Sequence, residues 1–333
     1  MEVSSHGLAL QRVVGCAFDV GIFTNFSQDH LDFHGTMGEY WSAKMLLFRD
    51  IAWASLPFKP FTAMVNVDCG FGRGLVRTWV SGYEFSSYAI DRAGADLRAQ
   101  NVRVTADRIQ FDIDADVDGN GGVPFDVPLT GRFNVYNALA AIAVGKAKGI
   151  PLAAMQNALV GVTRPAGRME FIEEGQGFLV VVDYAHTPEG LENVLKVLRE
   201  FVATDRNMLI CVFGCGGDRD AGKRPKMGAM AASLADMVVI TSDNPRSEDP
   251  ERIVEEIRVG ASGEKRAKEG NVVVKVEVDR RRAVEYTLGV ATPGDVVVLA
   301  GKGHESYQVL KDGPVHFDDR EVAREVLTAL MAE

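Results

Sequence analysis

The feature that most restricts the fold is an alternation in the second half of the chain. Apolar runs at 178–182, 208–213, 237–240, 272–276 and 296–299 take turns with helically spaced segments at 191–201, 228–234, 252–259 and 280–288. This order predicts an α/β fold with a mainly parallel, doubly wound, Rossmann-like sheet. Ligands of such sheets collect outside the carboxyl ends of the strands. Loops at 183–187, 214–220, 241–250 and 301–305 follow strands, carry Asp, Asn, Arg, Lys, His and Glu, and are expected to line one edge of the sheet.

The 241–250 loop, Thr-Ser-Asp-Asn-Pro-Arg-Ser-Glu-Asp-Pro, is the most informative of the four. Pro245 stiffens its turn, Asp249 is placed to cap the next helix and Pro250 suits that helix's first position. A guanidinium held there, that of Arg246, can grip a carboxylate bidentately, while Asp243 can receive an ammonium group. An Asx-turn with a solvated arginine is the competing reading. The glycines of 214–217 lack the G-x-G-x-x-G spacing, and Asp218 and Asp220 would repel a pyrophosphate, so a nicotinamide cofactor is not expected.

The first half, 1–164, is less regular. Residues 1–8 read as a strand end entering a turn, 20–24 as a short strand, and Asp29, His30, Asp32 and His34 follow it as groups suited to a metal or phosphate, or simply to a loop surface. Thr36 and Glu39 form a capping box, and Trp41, Lys44, Met45 and Phe48 share a face of the helix it opens. Lys44 on that stripe either runs its stem to solvent or is a desolvated amine open to modification. Apolar runs at 63–67 and 85–89 suggest strands flanking a sheet. Asn134 and Asn137 share a face near the start of a helix ending at Gly149-Ile-Pro151, and either could meet a base or ribose or serve as a cap. A Pro/Gly-rich segment, 163–168, reads as a linker between two domains, 1–164 and 165–333.

A net charge of −10 argues against a nucleic-acid partner, and no apolar run approaches the roughly 18 residues of a membrane span. The cysteines at 16, 69, 211 and 215 form neither metal-ligand pairs nor a disulfide pattern, which points to a reducing, cytoplasmic location.

In sequence order, MEVSSHGL, FTNFSQDHLDFHG, YWSAK, GRFNVYNALAA, DYAHTPEGL, FGCGGDRDAGKRPKM, DNPRSEDP and GKGHESYQ resemble the Mur ligase family over nearly the whole chain. The resemblance implies a central ATPase domain of the P-loop type followed by the Rossmann-like C-terminal domain. It also implies a monomeric enzyme of peptidoglycan synthesis, dependent on ATP and Mg2+, that joins meso-diaminopimelate to UDP-MurNAc-dipeptide through an acyl phosphate. By the same resemblance Glu2, His30 and Lys44 match the magnesium-site and catalytic residues, Lys44 being the lysine that becomes carbamylated. Ser4, Ser5 and Arg12 match contacts to the nucleotide sugar. The family's glutamine two residues before that arginine is replaced here by Leu10, with Gln11 beside it. Asn134, Asn137, Arg168 and Asp183 match ATP-facing positions, and Arg219, Asp243, Asn244, Arg246, Gly301 and Glu305 match the pocket for the incoming amino acid. The family's G-x-x-G-K-[ST] phosphate loop is not among the 333 residues. The expectation is therefore that the first domain is a remnant, with an open sheet edge, and that this chain alone is inactive. A lysine-adding sister ligase and a non-catalytic amino-acid- or partner-binding protein are the alternatives.

Overall fold

A computed structural model describes residues 1–78, 82–105, 107–113 and 122–332. The chain divides into two compact units, Met1–Ser27 with Phe33–Thr163, and Gln28–Asp32 with Arg164–Glu333. The first contains a six-stranded sheet of β1 (Val20–Phe23), β2 (Thr62–Asn66), β3 (Glu84–Ala89), β4 (Leu97–Val104), β5 (Ile109–Ile113) and β6 (Val123–Val127), arranged in chain order. Strands β1 to β4 pair in parallel and β4 to β6 are antiparallel. The runs read as flanking strands are thus members of the sheet itself, because β2 and the end of β3 are buried. Part of the glycine- and aspartate-rich stretch after them, 114–121, lies outside the described residues.

Helix Arg132–Ala147 buries Val135, Leu139 and Ile142 with Met64, Tyr88, Phe111 and Phe125 of the sheet. Each such side chain contributes about 1.5–3 kcal/mol when fully removed from water. Residues 1–4 form no strand; Ser4 instead caps a short helix, Ser5–Ala9, by accepting from Gly7 N. That hydroxyl satisfies a backbone N–H, which explains why a polar Ser-Ser pair stands where a strand end was expected.

The second unit carries β7 (Glu170–Ile172), β8 (Leu179–Asp183), β9 (Leu209–Phe213), β10 (Met237–Ile240), β11 (Val273–Val276) and β12 (Val296–Ala300). Their spatial order is β11-β10-β9-β12-β8-β7, parallel except for β7. Every residue of β9, β10 and β12 is buried, as expected of central parallel strands covered on both faces. A two-stranded hairpin not expected from the sequence, β13 (Tyr307–Leu310) with β14 (Gly313–His316), follows the last loop. Among the described residues no helix is long and apolar enough to cross a membrane.

Candidate functional site

The order β10-β9-β12-β8 brings the four chemistry-bearing loops of the second unit to one edge, since all four strands run parallel. Backbone packing then fits two loops together. A Cβ on Gly217 would lie 1.9 Å from Pro245 O, and one on Gly214 would lie 2.3 Å from Thr241 O. These glycines therefore serve close loop contact rather than a dinucleotide. Buried Arg224 fastens the same pair, donating to Glu248 Oε2 (2.9 Å), Glu248 Oε1 (2.8 Å) and Gly216 O (3.2 Å). Asp249 caps the following helix through Glu251 N, with Pro250 in its first turn.

The hairpin supports the 241–250 loop from another side. Arg246 N donates to Val309 O (3.0 Å), Val309 N to Asn244 Oδ1 (2.8 Å), and Gln308 Nε2 to Asp243 O (2.6 Å). Arg246 is held at φ 53°, a left-handed conformation that costs a non-glycine residue on the order of 1–3 kcal/mol. Its Nη1 donates to Gly217 O (2.8 Å) and Asn244 O (3.3 Å). One edge of the guanidinium is thereby anchored to main chain, and the side chain is half-buried. The solvated-arginine reading of this loop is not what the structure shows.

Asp243 is buried, and its Oδ1 accepts no hydrogen bond among the described residues. Lys302 Nζ stands 3.8 Å from that oxygen. Burial raises the pKa of Asp243, with Arg280 and Lys302 opposing the shift. An orphan carboxylate oxygen at a strand terminus is a seat for a cationic group. Asn244 Nδ2 donates to Glu305 Oε2 (2.8 Å), which joins two more of the expected residues. Gly301 takes φ 109°, and a Cβ there would come 3.1 Å from Asp243 Oδ2, so glycine is required beside the carboxylate. Arg219 is exposed, its Nη1 donating to Asp218 O (2.9 Å).

Asp183 accepts from Met169 N and Ala185 N, both 2.8 Å, and burial raises its pKa despite those bonds. Arg168, exposed, lies over the Tyr184 ring at 4.7 Å, and that ring neighbours His186 and His304. Within this unit too, Asp29 has His30 Nε2, His186 Nε2 and Lys223 Nζ each at 3.6 Å. Burial raises its pKa, but His186, Lys223 and His30 outweigh burial and hold the carboxyl well below the usual carboxylate range. Segment Gln28–Asp32, read from sequence as part of the first half, is tied to this unit by Gln28 Nε2 donating to Asp220 Oδ2 (3.0 Å).

In the first unit, the Thr36–Glu39 capping box is present and starts helix Met37–Leu46. Lys44 on that helix is half-buried, its Nζ 5.2 Å from the centroid of the Tyr40 ring. Tyr40 stacks on His34 at 5.3 Å, and His34 Nε2 is 2.9 Å from Ser5 Oγ. Ser5 and Lys44 are therefore linked through two rings. Glu2, Ser4 and Arg12 are exposed. Asn134 Nδ2 donates to Thr130 O (2.7 Å) and Asn137 Nδ2 to Asn134 Oδ1 (2.9 Å), a local arrangement at the helix start. Among the described residues, no three His, Cys, Asp or Glu side chains gather to hold a metal ion.

Three residues at the second unit's edge were given no role by the sequence reading: Lys302, which was counted only as part of a chemistry-bearing loop, Arg280 and Arg224. Arg280 is fully buried, pairs bidentately with Asp319 (Nε to Oδ1 2.8 Å, Nη2 to Oδ2 2.7 Å), and donates to Ala300 O (3.0 Å) and Ser242 O (3.4 Å). A signal was present, because Arg280 begins the stripe completed by Ala283, Val284, Thr287 and Leu288.

Comparison with known proteins decides the family. Residues 1–145 match the Mur ligase middle domain, and 167–303 match the glutamate ligase domain of Mur ligases. The chain belongs to the Mur ligase family. It is 46% identical over 329 residues to a Thermosynechococcus vestitus protein named UDP-N-acetylmuramoyl-L-alanyl-D-glutamate--2,6-diaminopimelate ligase, covering 98% of this chain and 62% of that protein. A Geobacillus thermodenitrificans protein of the same name is 44% identical, covering 97% and 63%. This Mur ligase chain thus spans somewhat over three-fifths of the length of those curated relatives. A solved structure of a ligase with that name superposes with TM-score 0.58 at 35% identity, covering 99% of this chain and 64% of the other. Thermotoga maritima MurF, solved with ADP, matches the fold at TM-score 0.66 and 16% identity, covering 99% and 65%.

Proposed function

We propose that the protein carrying this chain is an ATP-dependent amide-bond ligase that joins meso-diaminopimelate to UDP-MurNAc-L-Ala-D-Glu. The observation that supports this best is the pairing of Arg246, one guanidinium edge anchored, with the orphan Oδ1 of buried Asp243. Together they offer a carboxylate grip and an ammonium seat, the two groups that end a diaminopimelate side arm. Lysine has the ammonium but not the second carboxylate, so it would leave Arg246 unsatisfied. The names of the relatives carry the same amino acid.

In the reaction the γ-phosphoryl group of ATP passes to the D-glutamyl carboxylate, giving an acyl phosphate and ADP. The amine then attacks the acyl carbon, phosphate departs and the nitrogen loses a proton. Arg219, Asp243, Asn244, Arg246, Gly301 and Glu305 hold the incoming amino acid with its amine free. Asn134, Asn137, Arg168 and Asp183 are assigned to the nucleotide, and Ser4, Ser5 and Arg12 to the nucleotide sugar. The linkage of Ser5 to Lys44 through His34 and Tyr40 supports a common role for those groups.

Magnesium takes only one or two protein groups and keeps waters and phosphate oxygens for the rest, so its site needs no three-residue protein cage. The exposed Glu2 carboxylate suits that chemistry, and a carbamylated Lys44 would add an anionic oxygen; His30, expected from sequence to join them, belongs to the second unit and stands beside Asp29. Bound by Glu2 and Lys44, the ion would neutralise charge on the transferring phosphoryl group.

The protein is proposed to act as a monomer in the cytoplasm, where its four cysteines, all free, suit reducing conditions. Phosphoryl transfer rests largely on a backbone cradle and lysine at the β- and γ-phosphates. These 333 residues contain no such motif, so the isolated chain is expected to form no amide. ATP-dependent joining of labelled meso-diaminopimelate to the dipeptide nucleotide sugar tests the proposal. No product from the protein carrying this chain would overturn it, and turnover by the 333 residues alone would refute the expectation for the isolated chain.

A further inference from the structure

We infer that Lys302 is a positioning residue for the incoming amino acid, a buried ammonium that fixes Asp243, Asn244 and Glu305 in one arrangement and sets the charge they present. This deepens the proposed function and rests on it. The Lys302 side chain is fully buried, and its Nζ donates to Tyr307 O (2.6 Å), Glu305 Oε2 (3.3 Å) and, at a longer distance, Asn244 Oδ1 (3.5 Å). It also faces Asp243 Oδ1 at 3.8 Å. One ammonium thus reaches three residues of the pocket at once.

The connections close on themselves. Val309 N donates to Asn244 Oδ1, which fixes the amide's orientation and turns its Nδ2 to Glu305 Oε2. Glu305 in turn accepts from Lys302, and the bond to Tyr307 O fastens the lysine to the hairpin that supports the loop. A buried lysine needs counter-charge to stay ionised. Asp243 and Glu305 supply two carboxylates to its one ammonium, leaving a single negative charge unmatched. Arg280 also acts on Asp243, but its bidentate partner Asp319 acts in the opposite sense, so that pair adds no net charge. That unmatched charge, shared between the Asp243 and Glu305 carboxylates, complements one substrate ammonium.

A lysine serving only to hold the hairpin would give a different result on removal. The test is steady-state kinetics of the protein carrying this chain, with Lys302→Met, Glu305→Gln and the double variant. Lys302→Met should raise KM for diaminopimelate at least tenfold while KM for ATP and for the nucleotide sugar stays within twofold. Glu305→Gln removes the unmatched charge and should raise the same KM. Adding Lys302→Met to it restores one net negative charge, so the double variant should have a lower KM for diaminopimelate than Glu305→Gln alone. Because both lysine variants leave Asp243 as a buried carboxylate without that ammonium, their melting temperatures are measured first; Glu305→Gln, which keeps the Lys302–Asp243 pair, still tests the inference if neither lysine variant folds. A double variant worse than Glu305→Gln, or equal shifts in all three KM values, overturns the inference. Failure of the unmutated protein to use diaminopimelate would instead overturn the functional reading beneath it.

Discussion

The two units treat charge differently. In the first, the ion pairs made by Arg49, Lys59, Arg108, Arg132 and Lys148 join side chains at least 36% exposed, as in Lys59–Asp19 and Arg132–Asp91. Its part-buried carboxylate Asp68 relies on neutral donors instead: the backbone N–H groups of Ile90, Asp91 and Arg92, and Tyr136 OH. In the second, Arg280–Asp319 is wholly buried, and Lys302 and Arg224 are almost completely so. Exposed pairs contribute about 0–1 kcal/mol, whereas a buried ion carries a desolvation penalty of several kcal/mol that its partners must offset. Buried charge is concentrated where β10 and β12 end, at the proposed amino-acid pocket. A desolvated ion there is better explained by what it presents to a ligand than by stability.

The sharpest break in that contrast would come from the first unit. If Lys44 is carbamylated chemistry rather than packing, Lys44→Ala should abolish turnover in the protein carrying this chain while its melting temperature stays unchanged, and a small carboxylic acid in solution should restore part of the rate. Full activity of the variant would reduce Lys44 to a stem lying beside Tyr40.

Paired substitutions sharpen the comparison in stability. Arg280→Met leaves Asp319 buried without its cation and should cost about 3–5 kcal/mol of unfolding free energy. Arg132→Ala breaks an exposed pair with Asp91 and should cost under about 1 kcal/mol. Chemical denaturation of both variants measures the difference, and equal costs would remove the distinction between the units.

A smaller effect is expected from pH. Burial raises the Asp243 pKa in the ligand-free fold, so its ionisation works against folded-state stability as pH climbs from the unperturbed 3.8 through the folded value. An ammonium ligand binds the ionised form. Affinity for diaminopimelate should therefore rise with pH across that range, accompanied by proton release on binding. Calorimetry in buffers of different ionisation enthalpy reads the proton directly, and affinity falling with pH would contradict the assignment of Asp243.

Much of the second unit was legible in the sequence. The alternation of strand and helix gave the parallel sheet, and the loops after β8, β9, β10 and β12 fell at one edge because parallel strands leave them no other place. The capping box at Thr36 and Glu39 was readable for the same local reason. Of the buried cations only Arg280, on an apolar helix stripe, left a signal; elsewhere the letter for lysine or arginine carries no depth. Lys302 lies between two glycines after a wholly buried strand, and its partners come from loops about 60 residues apart. The hairpin was missed because β13 alternates little and is half exposed, a pattern that also fits a loop. The helix at Ser5–Ala9 was missed because five residues are too few to show a period.

The most direct measurement is the ratio of kcat/KM for meso-diaminopimelate to that for lysine, taken in the protein carrying this chain and in its Arg246→Ala variant. A guanidinium left without its carboxylate costs roughly 1–3 kcal/mol or more, so the unmutated protein should prefer diaminopimelate at least tenfold and the variant should lose the preference. Equal use of lysine by the unmutated protein, or a preference that survives Arg246→Ala, would contradict the reading of the 241–250 loop as the part that selects the amino acid.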